Sequence, residues 1–431
     1  MDRRSRLARR HPPHRDRRPA RRDTPSLWVA EARSLSARSD RAIALSLAAI
    51  GVLTYLAAGF GLLTDYDYYG RLAQALDGGR WWLDEAPPWL NELLPCGDGR
   101  YCVAYPPLPA LLTAPLAFFL PTALAQVLVS RIAGGASAGV LFLGLRAFGA
   151  PRLVAIGGAA LSALGTTLFF SSVDGRAWFD AHAVAMPFLC AAFLFASRGD
   201  RPWLLGAAIG LATLARLPIV AATPALVLLL SLRGGIPLAR ALGGVVLGGL
   251  PFAAIYVLYN LLRWGTPLDA GYAMLTVGDV FFTRGLFSLF YLPRHFQAIF
   301  IEPPDFVEGT PWFLRPRGVG MSLFLTTPAF VWIFASLRHM RRDAALALTA
   351  VAALLALLPD VLHGTVGFQQ FGYRFSLDAQ PFLVALAVAG DARTRDGWRS
   401  RPSIPFIVAT VLSVAINLYA TIAITRFGYW Q

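Results

Sequence analysis

An all-α, polytopic transmembrane helical bundle of about 11 to 13 spans is the fold that this sequence predicts, and three observations predict it. The 431 residues are 56% hydrophobic and only 15% charged, with a mean hydropathy of +0.53, which excludes an ordinary soluble enzyme and a disordered chain. The apolar residues gather into runs of roughly 16 to 26, about the length an α-helix needs to cross a hydrocarbon core of about 30 Å. A barrel would show short alternating segments instead. Third, the charges lie between the runs, in blocks whose sign differs from one side to the other.

Residues 1–41 hold 13 Arg against five acids, a net +8, among many Pro and His residues. They predict a disordered basic cytoplasmic arm, a solvated tail that enforces positive-inside orientation and could also touch anionic lipid headgroups. Ala42–Leu63 follows as 22 uncharged residues, too long for a signal-peptide core, so residues 42–431 form the transmembrane domain and the first span stays attached. Thr64–Ala104 reverses the sign, with seven acids against three Arg, and belongs on the outer face. Tyr105–Pro121 has five prolines in 17 residues. A crossing there would flip every later loop, so it is expected as a short re-entrant or half-crossing helix.

Further runs follow at Thr122–Leu145, Leu153–Phe170, Ala181–Ala196, Trp203–Ala215, Ile219–Leu232, Ala241–Leu262, Gly318–Leu337, Ala344–Leu358, Pro381–Gly390 with flanks, and Ile404–Ile424. Basic clusters at Arg146/Arg152, Arg198/Arg201, Arg233/Arg240, Arg338/Arg341/Arg342 and Arg393–Arg401 mark the cytoplasmic turns. The chain is thus expected as a multi-pass plasma-membrane protein with a cytoplasmic N-terminus. All 39 basic residues are Arg, which reads as the codon bias of a GC-rich bacterial genome. The net charge of +14 sits in the arm and the turns, so membrane lipids and not nucleic acid are the expected partners.

Three loops of the outer face are long enough to carry chemistry: 64–104, 263–317 and 359–378. The second balances five Arg against five acids and is rich in Trp and Phe, so juxtamembrane helices at the interface are expected there. The third carries His363, Gln369, Gln370, Tyr373 and Arg374. In the first, Cys96 and Cys102 of CGDGRYC could close a small disulfide or remain thiols. Cys190 lies within a span and reads as a buried apolar residue.

The sharpest local signal is Asp65-Tyr66-Asp67 in TDYDYY, where the first span meets the outer water. Two carboxylates two residues apart can share a proton, bind a cation, or act as a base and its orienting group. Here the chain resembles the GT-C glycosyltransferases, polytopic enzymes that use polyprenyl-phosphate sugars. DYDYY (Asp65–Tyr69) is similar to the acidic motif of the mannosyltransferase members. AYPPLPALL (Ala104–Leu112) resembles the proline-rich opening of the family's next apolar helix, and GLATLARLP (Gly210–Pro218) its small-residue turn ending in Arg. YNLLRWGTPLDAGY (Tyr259–Tyr272) and QFGYRFSLDAQPF (Gln370–Phe382) resemble segments of bacterial members. The likeness covers most of residues 42–391.

The resemblance implies a GT-C-like bundle and an inverting glycosyltransferase. It would move a sugar from a polyprenyl-phosphate donor to an envelope glycan, lipid or protein acceptor at the outer membrane face. Such a transfer needs a base near the acceptor oxygen and cations near the leaving phosphate. Asp65 is the expected base and Asp67 its alternative or orienting partner. For the phosphate the candidates are Arg374, Arg216, Arg71 and Arg294 with His295, each of which could instead be snorkelling at the interface. Asp180 in SVDGRAWFDAHA resembles the acidic residue that a later loop contributes in the family; His182 could carry a proton or hold a structural hydrogen bond. Tyr373 and Gln370 flank Arg374. Asp65, Asp67 and Asp180 together could hold a divalent cation, although the family does not always require one. Arg131, in mid-span among Gly and Ser, is expected as a structural pair or a snorkelling residue.

No Gly-rich phosphate loop with Lys and no H-E-x-x-H occurs, so nucleotide hydrolysis has no footing. The alternative is a lipid-linked glycan transporter or flippase without catalytic activity. It predicts related halves and ionisable residues along a mid-membrane path, and no internal repeat is visible.

Overall fold

The computed structural model describes residues 27–308 and 314–429. Residues 42–431 form one compact unit, and the site described below lies wholly within it. Most of the basic arm, residues 1–26, lies outside the described residues. Helix α1 (Leu27–Ala58) nevertheless starts inside the stretch expected to be unstructured, as a run of Ala, Ser, Leu and Arg without Gly or Pro permits.

After α1 come α2 (Tyr68–Asp77) and a short antiparallel hairpin of β1 (Leu93–Pro95) and β2 (Tyr101–Val103). Cys96 and Cys102 are disulfide-bonded across it, with Gly97 and Gly99 at φ 95° and 72° making the turn. The proline-rich segment folds as α3 (Leu108–Ala117), ten residues long. At about 1.5 Å per residue this is near half the length a crossing needs. Its chain returns to the same end of the bundle, because Thr122 at the start of α4 (Thr122–Phe148) bonds Asp67 at the start of α2.

The run Leu153–Phe170 forms α5 (Arg152–Leu164) and α6 (Thr167–Asp174), bent by 46° at Gly165 and Thr166. Then α7 (Ala177–Arg198) returns. Helices α8 (Pro202–Thr213) and α9 (Thr223–Gly234) make a hairpin whose open end is closed by backbone contact of Gly199 with Gly234 and by Arg233 Nε donating to Ser197 O at 3.0 Å. Pro218 and Pro224 break the helical ladder at its tip, which carries Arg216 and a 3-10 turn over Leu217–Ala222. Helix α10 (Leu238–Trp264) packs back on α8.

The second long loop holds α11 (Gly271–Leu275), α12 (Leu292–Phe300) and a two-residue hairpin of β3 (Asp305–Phe306) and β4 (Leu314–Arg315). The last segments are α13 (Leu323–Thr326), α14 (Trp332–Met340), α15 (Ala344–Val361), α16 (Gln380–Ala392) and α17 (Ile404–Phe427).

Among the described residues seven helices are long and apolar enough to cross a membrane, or eight if α5 and α6 are one bent span. That is fewer than the runs predict, because the remaining runs fold as shorter or broken helices. Trp203–Ala215 gives the 12-residue α8, Gly318–Leu337 is interrupted at Pro328, and Pro381–Gly390 gives the 13-residue α16.

Burial sorts the bundle into centre and rim. Every residue of α16 is buried, and α4 and α7 are mostly so. By contrast only 17% of the apolar stretch of α1 and 11% of that of α10 is covered by protein, with side chains such as Leu247 and Leu250 on open faces. Such wide apolar surfaces fit lipid contact, not water.

Candidate functional site

The site is assembled where the loops 64–104 and 359–378 meet the ends of α1, α6, α7 and α15 and the tip of the α8–α9 hairpin. The two carboxylates of the D-x-D motif have different environments. Asp67 is buried as the N-cap residue of α2, and both its oxygens are engaged: Oδ1 accepts from Arg71 Nε at 2.7 Å and Oδ2 from Thr122 Oγ1 at 2.5 Å. Gln126 completes this joint, its Oε1 accepting from the backbone of Tyr69 and Gly70 and its Nε2 donating to Tyr66 O and Gly175 O. Arg71 is therefore occupied with Asp67.

Asp65 is exposed. It lines a cavity of about 240 Å³ together with Thr64, Tyr66, Asp174, Arg176 and Thr425, and a second depression of about 380 Å³ with Tyr66 and Trp89. Arg176 pairs with Asp174 (Nε to Oδ1, 3.2 Å), donates from Nη1 to Gln369 Oε1 at 2.5 Å, and lies over the Tyr66 ring. Asp174, not Asp180, is thus the carboxylate that shares a cavity with Asp65.

Behind this mouth lies a buried charged cluster. Arg216, at the hairpin tip, donates from Nη2 to Asp378 Oδ2 at 2.7 Å and to Asp360 Oδ1 at 3.2 Å. His182 Nδ1 stands 2.9 Å from Asp378 Oδ1. Burial works against an ionised Asp378, but Arg216 and His182 outweigh it and hold its carboxyl below the ordinary range. Asp180 is fully buried beside Ser130, and among the described residues neither of its oxygens closes a hydrogen bond of ordinary geometry; His182 Nε2 and the Tyr69 hydroxyl likewise find no partner there. Unpaired buried polar atoms are costly, and they mark a site built for something beyond packing.

Arg374 faces the cluster. Its Nη1 donates to Phe368 O at 3.1 Å and its guanidinium lies over Phe179 and Phe375, while among the described residues it makes no ion pair within 4.0 Å. Burial and the neighbouring Arg216 lower its pKa to about 10, so it stays a cation. Glu92 is half-buried opposite. Trp178 shares its Nε1 hydrogen between Glu92 Oε2 (2.6 Å) and the Tyr105 hydroxyl (2.7 Å). Burial, partly offset by the Trp178 bond, pushes the Glu92 carboxyl up to about 7.

The remaining expected residues hold the third loop in place. His295 joins the Tyr373 hydroxyl (2.8 Å) to His363 O (2.9 Å), Gln370 donates to Val319 O and Val366 O and accepts from Arg374 N, and Arg294 donates to Gly364 O. Burial lowers His363 to about 4, so it is neutral. The sequence reading missed Asp360, Asp378, Glu92 and Trp178. The available signal was an acid at the edge of an apolar run: Asp360 ends one and Asp378 opens another, four residues after Arg374.

The structure does not gather Asp65, Asp67 and Asp180 into one set of ligands. Among the described residues no three His, Cys, Asp or Glu side chains are grouped as ligands, and Asp67 is committed to Arg71 and Thr122.

No family model matches the sequence, and no curated protein matches it. Solved structures that resemble the chain include two of an archaeal oligosaccharyltransferase. One is the Archaeoglobus fulgidus oligosaccharyltransferase in its apo form, at 13% identity and a TM-score of 0.48, aligned over 89% of this chain and 55% of that one. The other is the archaeal oligosaccharyltransferase AglB of Archaeoglobus fulgidus in complex with an inhibitory peptide and a dolichol-phosphate, at 14% identity and a TM-score of 0.47, over 90% and 56%. The chain spans about half the length of these structures.

Proposed function

We propose that this chain is an integral-membrane glycosyltransferase of the GT-C, mannosyltransferase-like type. It transfers a sugar from a polyprenyl-phosphate donor to a glycan, lipid or protein acceptor of the cell envelope, at the outer face of the plasma membrane. The observation that carries the proposal is an exposed carboxylate at the mouth of the bundle with arginines in and behind its cavity. Asp65 opens on a cavity shared with Arg176, whose partner Gln369 adjoins the Phe368 carbonyl that holds Arg374.

In this reading Asp65 takes the proton of the acceptor hydroxyl as its oxygen attacks the anomeric carbon. The bond from that carbon to the phosphate oxygen breaks on the opposite side, which inverts the configuration. Polyprenyl phosphate leaves as an anion, so no acid is needed, and Arg374 receives its charge with Arg216 behind it. Asp67 orients the segment through Arg71 and Thr122.

Sugar transfer in proteoliposomes with radiolabelled polyprenyl-phosphate mannose or arabinose tests the reading. Asp65→Asn should lower the turnover by about 10²-fold or more. Arg374→Ala should raise the donor KM far more than the acceptor KM. Full transfer by the Asp65→Asn protein would end the assignment of the base, and glycolipid translocation measured in the same vesicles would then favour the transporter alternative.

A further inference from the structure

We infer that Arg131 is a positioning residue, a guanidinium buried in the apolar helix α4 that ties the ends of α1 and α6 together and so sets the spacing of Asp65 and Asp174 across their cavity. This rests on the reading of Asp65 as the base. A charge 3% exposed in the middle of an apolar helix is expensive and persists only where its donors are satisfied. Among the described residues its hydrogen-bond partners are backbone carbonyls, with the Asp174 charge close enough to act on it. Nη2 donates to Leu62 O and to Val173 O, both at 2.9 Å, and Nε donates to Val173 O at 3.2 Å.

One carbonyl belongs to a helix end and the other to the turn beyond one. Val173 is in the last turn of α6, where carbonyls lack intrahelical partners, and Leu62 is in the turn that follows α1. The negative end of α6 and a carbonyl of the turn after α1 thus converge on one cation. Asp174 directly follows Val173, and Asp65 lies three residues beyond Leu62. The fork is fitted closely: a Cβ on Gly59 would land on the Arg131 guanidinium. Lys cannot reproduce this arrangement, since one ammonium on a flexible stem lacks the planar fork that reaches two carbonyls at once.

The test separates positioning from mere stability. Arg131→Gln should lower kcat by about tenfold or more with the donor KM within about twofold, because misplacing a reacting group costs rate before binding. Arg131→Lys should recover only part of it. In an Asp65→Asn background the same Gln change should cost less than about threefold, since the group it positions is gone. If Arg131→Gln fails to fold, Gly59→Ala displaces the guanidinium while keeping its charge and should show the same split. Full kcat in Gly59→Ala and Arg131→Gln, or an equal loss with and without Asp65, would overturn the inference. Spin labels at D65C and D174C give a readout without activity: their distance distribution should broaden in Arg131→Gln, and an unchanged distribution counts against the role. A broadened distribution beside a fully active Asp65→Asn protein would sink the base assignment alone.

Discussion

Two aspartates two residues apart in a motif carry the same chemistry on paper, yet Asp67 spends both oxygens on Arg71 and Thr122 while Asp65 faces an open cavity. That difference lies in the turn after α1 and in the arrival of α4, neither of which a D-x-D spacing encodes. Arg216, His182, Arg374 and Tyr373 were legible as candidates because charged and polar groups stand out at the edges of apolar runs. Asp378 and Asp360 were not, since nothing local announces that a guanidinium 144 or 162 residues upstream will reach them. The pairing predicts its own vulnerability. Asp378→Asn leaves Arg216 with only the longer Asp360 contact, and breaking a buried pair costs about 3–5 kcal/mol. Thermal unfolding in detergent should show a clearly lowered midpoint, and a wild-type midpoint would mean that the cluster is hydrated and weak.

At the scale of elements, the apolar runs marked nearly every helix, and their proline content foretold the short α3. The breaks at Gly165 and Pro328 and the hairpin of α8 and α9 escaped, because hydropathy averages over a kink. What brings the helices together is small residues. A Cβ on Gly135 would meet the backbone of Gly51 and Val52 in α1, and one on Gly139 the Ala44 carbonyl. Gly206 and Gly248 do the same between α8 and α10, against Val245 and Trp203. Lipid offers no hydrophobic drive for helix association, so close backbone approach supplies the attraction. Gly248→Leu should therefore prise α10 from α8. The expected result is a loss of monodisperse protein in size-exclusion chromatography, and an unaltered profile would show that α10 is held by its loops instead.

For the whole molecule, pH acts at the end of the bundle where the loops 64–104 and 359–378 meet. Glu92 makes that end sensitive to pH. Its carboxyl is raised to about 7 in the folded protein, so the stability it contributes is complete in acid, below the ordinary Glu range, and is lost as pH rises through about 7. The unfolding midpoint should fall between about pH 5 and 8, and Glu92→Gln should flatten the slope. A profile unchanged by that substitution would place the titration elsewhere.

The hairpin of α8 and α9 has a consequence for biogenesis. Arg216 leaves the ribosome well before Asp360 and Asp378 exist, so its tip enters the bilayer as a lone cation. It can settle only after α15 and α16 have been inserted, which makes the docking of this hairpin a late, C-terminally triggered step of maturation. Nascent chains halted before Pro359 should keep that tip open to aqueous labelling, and those released after Ala392 should close it.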